Sequence, residues 1–423
     1  MNNDKNYSSK KKRKTDRGEE EPDYLKCPVY RKCGGCEFRG IPYEEQLAIK
    51  ENRVRRELEG LARTEKIAGM SYPYFYRNKV NAAFQRKRDG SIISGVYEAG
   101  THRVVPVDRC LIEDQRADRI IGSIRRLLPS FRITIFNEDS GYGLLRHVMV
   151  RVGHKTGQIL VILVVASPIF PSKNNFVKAL RKEHPEITSI VLNINEKNTS
   201  MVLGDRNIVL YGKGCIEDIL CGKRFRISPS SFYQINSVQT EVLYRKAISL
   251  AHLTGKETVF DAYSGIGTIG IAASDSARAV TCVELNANAV RDARYNARIN
   301  GVRNIRFYQD DAGRFLEQMA ARGERADVLF MDPPRAGSTE TFIRAACSMK
   351  PDRIIYISCN PETLARDLRF FRKKGYRAKE AYPVDMFAWS GSIETVVALQ
   401  RGVNRKPVTV HSQLCTDKTF NSK

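Results

Sequence analysis

The second half of the chain alternates between short apolar runs and stretches with helical periodicity, and this alternation constrains the fold most. After Phe232 the extended runs are TVFDAYSG, AVTCVELN, IRFYQDD, ADVLFMDPP, RIIYISCNP and TVVALQR. Strands that alternate with helices are typical of a parallel sheet covered by helices on both faces. We therefore predict a doubly wound α/β domain over residues 229–402.

Residues 71–228 show a different pattern, in which extended runs follow one another with short turns between them. VNAAFQ and SIISGVYEAG flank Asp89-Gly90, a strong signal for a hairpin, and HVMVRVG and QILVILVVA flank a second turn at residues 154–157. A short helix over 174–182 and the strand SIVLNIN follow. This pattern predicts a central α+β domain with an antiparallel sheet.

The remaining segments flank these two domains. Residues 23–70 are predicted to form a small N-terminal lobe, in which a cysteine-rich segment completed by Cys110 is followed by a helix over 43–61 with Leu and Val at helical spacing. Residues 1–22 combine a basic run with acidic residues and almost nothing apolar, which predicts a disordered tail. Residues 403–423 lack periodicity and are predicted to be a second loose tail.

The charge of the chain indicates the class of its partner. Lys and Arg total 70 against 47 acidic residues, a formal net charge of +23. Such an excess usually neutralises a polyanion, so nucleic acid is the leading partner, and a surface charged only for solubility is the alternative. The sequence contains no apolar run of about 18 residues, the length that would predict a membrane span, and the start of the chain has no apolar stretch like that of a signal peptide. We expect a cytoplasmic protein without a membrane partner.

A glycine-containing loop follows the first strand of the predicted α/β domain. In TVFDAYSGIGTIGIA, Gly265 and Gly267 lie between a strand and a helix, where glycines let a ligand approach the backbone at the amino end of the helix. The spacing D-x-x-x-G-x-G, which starts at Asp261, differs from the dinucleotide pattern, and the loop has no Walker lysine. A methyl-donor nucleoside, S-adenosylmethionine, fits this Rossmann-like pattern better than a dinucleotide or a nucleoside triphosphate.

Two acidic positions follow the next two strands. Glu284 ends the second strand, where an acid can accept hydrogen bonds from both ribose hydroxyls of a nucleoside. Asp310 and Asp311 end the third strand, where a carboxylate can accept from an adenine amino group. A spare surface acid is the alternative interpretation of this second pair.

Asp332 and Cys359 follow the fourth and fifth strands of the same predicted sheet. Ligands bind beyond the carboxyl ends of the strands in an open parallel sheet, so both residues should face the cofactor crevice. A thiolate that adds to carbon 6 of uracil places electron density on carbon 5, which can then accept a methyl group. Cys359 is therefore a candidate nucleophile, and a buried, inert thiol is the alternative.

The same reaction requires a base, because the carbon 5 proton must be removed before the thiolate can leave. Glu394 lies just before the last apolar strand and is the candidate, with an exposed acid at a strand start as the alternative. Asp332 would either orient the uracil imide or lie against the cofactor.

Four cysteines form a second candidate site. Cys27, Cys33 and Cys36 follow the spacing C-x5-C-x2-C, and Cys110 lies further along the chain. Four thiolates can hold a tetrahedral zinc ion or a four-iron four-sulfur (4Fe-4S) cluster. Because the x5 gap is longer than zinc sites usually have, we favour iron and sulfur, with zinc as the alternative.

These motifs together resemble the RNA uracil-5-methyltransferases, and among them the bacterial 23S ribosomal RNA enzymes. The resemblance runs from about Cys27 to Leu399 and is carried by CGGCEFRGIPYEEQLAIK, FYRNKVNAAFQ, GVYEAGTHRVVPVDRC, LNINEKNTSMVLG, SPSSFYQIN, DAYSGIGTIGI, MDPPRAG, ISCNP and IETVVAL. The chain departs from it at DMFAWSGSIE, where Trp389 and Ser392 stand at positions at which relatives often have histidines.

The resemblance implies a function and a role for each motif. It implies that Cys359 is the nucleophile, Glu394 the base, and that the S-adenosyl-L-methionine site is lined by Gln234, Tyr263, Glu284 and Asp332. It also implies that a 4Fe-4S cluster is held by Cys27, Cys33, Cys36 and Cys110. The family's transfer RNA branch usually lacks such a cluster, so the resemblance implies 23S rRNA as the partner and substrate of a monomeric enzyme.

Three alternatives stay open. The first is a transfer RNA uridine-5-methyltransferase. The second is a methyltransferase that acts on an exocyclic amine or a protein glutamine; such enzymes resemble N-P-P-Y at the fourth strand, whereas this chain has DPPR followed by a cysteine on the next strand. The third is a non-catalytic RNA-binding or ribosome-assembly factor that retains the fold, against which Cys359 and Glu394 argue.

Overall fold

A computed structural model describes residues 27–402, so the tails predicted over 1–22 and 403–423 lie outside the described residues. The helices are α1 (Tyr30–Cys33), α2 (Tyr43–Glu57), α3 (Gln115–Leu127), α4 (Lys173–Glu183), α5 (Ser237–Ala251), α6 (Thr268–Ala273), α7 (Ala287–Ile299), α8 (Ala312–Ala321), α9 (Glu340–Ser348) and α10 (Pro361–Lys373). In this part of the chain no helix is both long and apolar enough to cross a bilayer.

The strands form two large sheets and one separate hairpin. They are β1 (Arg63–Thr64), β2 (Lys79–Arg86), β3 (Ile92–Tyr97), β4 (Val104–Pro106), β5 (Leu145–Val152), β6 (Ile159–Val165), β7 (Ile187–Ile194), β8 (Arg206–Tyr211), β9 (Ile216–Leu220), β10 (Lys223–Ile227), β11 (Thr258–Ala262), β12 (Ala279–Glu284), β13 (Ile305–Gln309), β14 (Val328–Met331), β15 (Arg353–Ser358), β16 (Tyr376–Val384) and β17 (Glu394–Arg401).

The C-terminal sheet has the order β1-β16-β17-β15-β14-β11-β12-β13. Strands β11 to β15 are parallel to their neighbours, as the alternation of strands and helices predicts. The prediction of a purely parallel sheet is wrong for β17, which is antiparallel to both β15 and β16. Only residues 385–393 join β16 to β17, too short a connection for the crossover that a parallel pair needs.

The sheet is covered on both faces, because successive strand residues point to opposite sides. Val259 of β11 packs with α5, α6 and α7, and its neighbour Phe260 packs with α8, α9 and α10. From β11 the chain adds β12 and β13 on one side and then returns to add β14 and β15 on the other side, so the strand order reverses between β11 and β14. Ligands of doubly wound sheets bind beyond the strands at such a point.

The segment predicted as a separate N-terminal lobe contributes to this same sheet. Strand β1 pairs in parallel with β16, and Val54 and Leu58 belong to the core that contains α10. Helix α2 ends at Glu57, four residues before the predicted end, and Leu58 caps it.

The central sheet has the order β4-β3-β2-β5-β6-β7-β8, and both predicted hairpins are present. The prediction of an antiparallel sheet is wrong for β6 and β7, which are parallel. Helix α4 lies between them in sequence and carries the chain back to the starting end, as a parallel pair requires. One face of this sheet packs on α3 and α4, and the other shares a core with α5 and the β9–β10 hairpin.

Candidate active site

A cavity of about 530 Å³ lies beyond the carboxyl ends of β11, β12, β14 and β15. The loops after these four strands line it, together with the start of β17 and the segment before α5. The six residues predicted from the sequence for catalysis or cofactor binding all line this cavity: Gln234, Tyr263, Glu284, Asp332, Cys359 and Glu394. The structure therefore brings together side chains that are up to 160 residues apart in sequence.

The loop after β11 has a backbone that few side chains accept. Gly265 and Gly267 have φ values of 56° and 83°, and Tyr263, with a φ of 62°, adopts the same left-handed region. A Cβ added to Gly267 would lie 2.9 Å from the ring of Phe307, whereas a Cβ on Gly265 would meet no atom within 4 Å. Gly265 thus leaves its side of the cavity open down to the backbone, which is what close approach of a nucleoside requires.

A polar atom on this wall is left without a partner. Ser264 is buried and lines the cavity, and its Oγ has no hydrogen-bond partner in the described part of the chain. Buried polar atoms are nearly always hydrogen-bonded, so a ligand in the cavity is expected to supply the missing partner.

Glu284 is held at the end of β12 by two backbone donors. The amide of Gly265 donates to its Oε2 at 2.9 Å, and the amide of Asn286 donates to its Oε1 at 2.8 Å. Each carboxylate oxygen retains a lone pair for a further donor, so the side chain can accept from vicinal ribose hydroxyls. This geometry fits a nucleoside, and it keeps the acid in one rotamer.

Asp310 and Asp311 are not among the residues that line the cavity. Asp310 forms an ion pair with Arg314, and Asp311 caps α8 by accepting from the amide of Arg314 at 2.9 Å. Both acids thus have local structural partners. Their sequence signal, an acid at a strand end before a helix, is the same as that of an ordinary helix cap.

Cys359 lies between the end of β15 and the start of α10. Asn360 caps this helix by accepting from the amide of Glu362 at 3.0 Å, and Pro361 is its first residue. Burial, together with the nearby carboxyl groups of Glu394 and Asp332, raises the pKa of the Cys359 thiol to about 11. Arg335 and the amino end of α10 favour the thiolate instead.

Glu394 and Asp332 are two carboxyl groups in the same cavity without an ion-pair partner within 4 Å in the described structure. Glu394 is 4% exposed, and burial followed by the proximity of Asp332 raises its pKa well above the ordinary value. Burial raises the pKa of Asp332 to about 7. Because like charges cannot easily ionise side by side, this pair can hold a proton at neutral pH.

The cavity also has lining residues that the sequence patterns did not single out. Arg335 supplies a positive charge that acts on both Cys359 and Glu394. Phe232 is 62% exposed at the cavity, and Tyr244 and Phe387 add aromatic surface. Arg335 directly follows the Asp-Pro-Pro motif, so its position was available as a signal, whereas the aromatic residues carry none.

Gln234 reaches the cavity because the central domain holds its backbone. The side-chain amide of Asn78 donates to the Gln234 carbonyl at 2.9 Å, and the backbone amide of Asn78 donates to the Ile235 carbonyl at 2.8 Å. The start of β2 thereby fixes the segment that precedes α5. The central sheet therefore helps to position one wall of the active-site cavity.

The segment before β17 is anchored by a buried ion pair with helix α2. Lys50 Nζ lies 2.6 Å from Asp385 Oδ1 and also donates to the Phe387 carbonyl at 3.0 Å, and Tyr43 donates to Asp385 Oδ2 at 2.6 Å. The Lys50 and Asp385 side chains are 1% and 0% exposed. These contacts fix the backbone that presents Phe387 and Glu394 to the cavity.

The two positions at which relatives often have histidines face different sites. Ser392 lines the active-site cavity. Trp389 lines the cysteine cavity instead, where its Nε1 donates to the Pro73 carbonyl at 2.7 Å and its ring lies 5.2 Å from that of Tyr74. Trp389 therefore connects the Glu394 segment to the cysteine-rich region.

A separate cavity of about 250 Å³ is lined by the four predicted cysteines, Cys27, Cys33, Cys36 and Cys110. Gly34, with a φ of 68°, ends the short helix α1 and turns the chain between Cys33 and Cys36. Three arginines, Arg39, Arg77 and Arg109, line the same cavity. Across residues 27–402, no group of three or more His, Cys, Asp or Glu side chains is arranged to hold a single metal ion.

The doubly wound sheet, with a cavity at its switch point lined by Glu284 and the glycine loop, has the architecture of an S-adenosylmethionine-dependent methyltransferase of the α/β class. The family model described as tRNA (Uracil-5-)-methyltransferase matches residues 42–402. The chain belongs to this family of uracil-5 RNA methyltransferases.

Relatives and a solved structure are similar over most of the chain. An RNA methyltransferase of Halalkalibacterium halodurans is 40% identical over 90% of this chain and 85% of its own length, and one of Caldanaerobacter subterraneus is 41% identical over 89% and 84%. The crystal structure of Pyrococcus abyssi tRNA (uracil-54, C5)-methyltransferase in complex with S-adenosyl-L-homocysteine superposes with a TM-score of 0.72. It is 27% identical and covers 86% of this chain and 85% of its own.

Proposed function

We propose that this methyltransferase modifies carbon 5 of a uridine in 23S rRNA, with Cys359 as the nucleophile and Glu394 as the base. The observation that supports this most directly is the convergence of Cys359, Glu394 and Asp332 on one cavity at the switch point of the sheet. Family membership supplies the reaction class and an RNA substrate.

In the proposed reaction the Cys359 thiolate bonds to carbon 6 of the uracil, and electron density moves to carbon 5. Bound S-adenosylmethionine would supply an electrophilic methyl group to carbon 5, with S-adenosylhomocysteine as the leaving group. The Glu394 carboxylate then takes the proton from carbon 5, and the electrons of that bond restore the ring double bond as the carbon–sulfur bond breaks.

The other lining residues hold the reactants. We propose that Glu284 accepts from the ribose hydroxyls of the methyl donor, that Gln234 and Tyr263 line its site, and that Asp332 lies between donor and base. Arg335 would favour the thiolate as the uracil arrives. Because carbon 6 must be attacked from the face of the ring, the target base has to leave its stack to enter the cavity.

We further propose that the cysteine cavity holds a 4Fe-4S cluster and that residues 71–228 bind RNA. Four thiols around one cavity of about 250 Å³ suit a cluster of several ions, whereas a zinc site would require sulfurs grouped around one position. The three arginines that line the cavity complement the negative charge of four thiolates. Purified under anaerobic conditions, the protein should be brown and contain iron and sulfide; a colourless protein with zinc would contradict the proposal.

Covalent trapping tests the chemistry. RNA that carries 5-fluorouracil has no removable proton on carbon 5, so it should form a complex with the protein that survives denaturation in the presence of S-adenosylmethionine. Cys359→Ala should form none, and Cys347→Ala, which removes a thiol outside the cavity, should form as much as the wild type. Trapping by Cys359→Ala would refute the nucleophile.

Transfer RNA is the second candidate substrate, favoured by the similarity to the Pyrococcus abyssi enzyme. The two substrates are separated by presenting unmodified 23S rRNA and unmodified transfer RNA to the protein with labelled S-adenosylmethionine. Incorporation into 23S rRNA supports the proposal, and incorporation into transfer RNA alone overturns the choice of substrate while leaving the chemistry intact.

A further inference from the structure

A second groove, of about 710 Å³, lies at the edge of the C-terminal sheet between α7 and β13. We name it the edge groove and define it by four exposed arginines that line it: Arg294 and Arg298 of α7, Arg303 of the connecting loop, and Arg306 of β13. Apolar side chains form its floor: Ala297, Val302, Ile305 and Phe307. No Asp or Glu is among the residues that line the groove.

The four arginines have no carboxylate within 4 Å in the part of the chain that the structure describes. Their one direct hydrogen bond there is from Arg294 to the Phe307 carbonyl, at 3.0 Å. Arg294 and Arg298 are four residues apart on one helix, a spacing at which like charges repel. Such a concentration of unpaired positive charge is costly unless anions occupy the groove.

The edge groove is remote from the active site. Strand β13 is four strands away from β15, at whose end Cys359 lies, which corresponds to about 19 Å across the sheet. Arg306 is paired with Thr281, three residues before Glu284, and so lies about 10 Å towards the opposite end of the strands. The two cavities have no lining residue in common.

We propose that the edge groove binds backbone phosphates of the RNA substrate at a distance from the methylated uridine. Guanidinium groups bind phosphate oxygens through paired hydrogen bonds, and four of them along one groove match a row of phosphates. The apolar residues of α7 are buried, which disfavours a membrane surface as the occupant, because membrane-bound helices expose an apolar face. The proposal rests on an RNA substrate but not on which RNA it is.

The geometry sets a minimum length for the substrate. The two displacements combine to about 21 Å, which corresponds to about six nucleotides of a stacked strand at roughly 3.4 Å per step. An RNA shorter than this should use only the active-site cavity. A longer RNA should gain affinity from the edge groove.

The test compares two triple variants that lose the same net charge. The groove variant carries Arg298→Gln, Arg303→Gln and Arg306→Gln. The control variant carries Arg55→Gln, Arg344→Gln and Arg401→Gln, which remove exposed arginines that each pair with a carboxylate. Binding is measured by fluorescence anisotropy over a range of salt concentrations, with a ribosomal RNA stem-loop of about 40 nucleotides and a uridine-containing oligomer of about four.

We expect the groove variant to bind the stem-loop at least about tenfold more weakly than the wild type. The slope of log affinity against log salt concentration should be less steep by about two to three, because three phosphate contacts are lost. It should bind the short oligomer as the wild type does, and the control variant should keep most of its affinity for both. Equal losses in the two variants would overturn the proposal in favour of net charge alone. Unchanged stem-loop binding would overturn it as well.

A covalent readout separates this proposal from the proposed function. The groove variant should still trap a short 5-fluorouracil RNA through Cys359 at the wild-type level, which also shows that it is folded. If the wild type traps no RNA, the proposed chemistry fails, and the binding comparison still decides the role of the edge groove.

Discussion

Two buried acidic sites lie on either side of the turn that leads into β17, and they are built in opposite ways. Asp385 accepts from Lys50 and Tyr43 at 2.6 Å each, and from the amide of Phe387 at 3.3 Å. Glu394, nine residues later, is equally buried but has no ion-pair partner in the structure over residues 27–402. The first carboxylate accepts from three donors that include a cation, and the second has no such cation.

The difference separates a structural acid from an acid that can exchange a proton. A buried carboxylate that accepts from three donors is fixed in position. A buried carboxyl group beside another, as Glu394 is beside Asp332, has its pKa raised and can take up or release a proton at moderate pH. We call Asp385 with its donors the partnered site, and Glu394 with Asp332 the unpartnered site. The partnered site thus fixes the backbone that precedes Glu394.

Replacing Glu394 tests the unpartnered site and should have the largest effect. Glu394→Gln keeps the shape of the side chain but cannot accept the carbon 5 proton, so turnover should fall about 10² to 10⁴-fold. The adduct between Cys359 and ordinary uridine should then accumulate, because elimination requires that proton to leave. The measurement is methyl transfer, together with the denaturation-resistant RNA complex on a gel. Asp352→Asn, an exposed acid away from the cavity, is the control; normal turnover by Glu394→Gln would contradict its role as base.

Breaking the partnered site should lower stability strongly. Lys50→Ala leaves Asp385 buried without its cation, which should lower the free energy of unfolding by about 3–5 kcal/mol. Arg55→Ala on the same helix removes an exposed arginine from its pair with the half-buried Glu51 and should lower it by less than about 1 kcal/mol. Denaturant titration of both variants measures the difference. Equal costs would show that burial of the Lys50–Asp385 pair does not distinguish it from a surface pair.

The contrast between these two acids also shows where prediction from the sequence succeeds. Glu394 was predicted because it precedes an apolar strand, and Asp332 and Cys359 because they follow strands of a parallel sheet. For Asp332 and Cys359, a local pattern fixes the strand end, and the parallel strand order then places both side chains at the same edge of the sheet. Glu394 reaches that edge only because β17 is antiparallel to β15, which the sequence pattern did not predict.

The partnered site had no such signal. Lys50 and Asp385 are 335 residues apart, and nothing in either local pattern indicates the other. The same limitation explains the antiparallel β17 and the parallel pair β6 and β7: periodicity indicates that a segment is a strand but not which strand it pairs with. Such long-range pairings depend on the assembled chain.

The pH dependence of stability offers a finer comparison of the two carboxyl groups. The folded-state pKa of Glu394 is raised above its unfolded value, so its protonated form favours folding at low pH and that contribution is lost as pH rises towards the folded-state pKa. Glu394→Gln does not titrate. Its melting temperature relative to the wild type should therefore increase between about pH 5 and pH 8. A difference in melting temperature that stays constant over this range would show that the pKa of Glu394 is not raised in the folded state.

The smallest effect that we expect concerns the cation that faces the unpartnered site. Arg335 favours the Cys359 thiolate, whereas burial raises the pKa of that thiol to about 11, so alkylation of Cys359 should accelerate about tenfold per pH unit from pH 7 to 9. Arg335→Gln should slow it by about two- to fivefold at each pH, the range of an exposed charge interaction, and Arg335→Lys should restore most of the rate. Mass spectrometry of the Cys359 peptide distinguishes this thiol from the others. If the glutamine and lysine variants react equally, the charge of Arg335 has no influence on the thiol, and the carboxyl groups and helix α10 alone determine its reactivity.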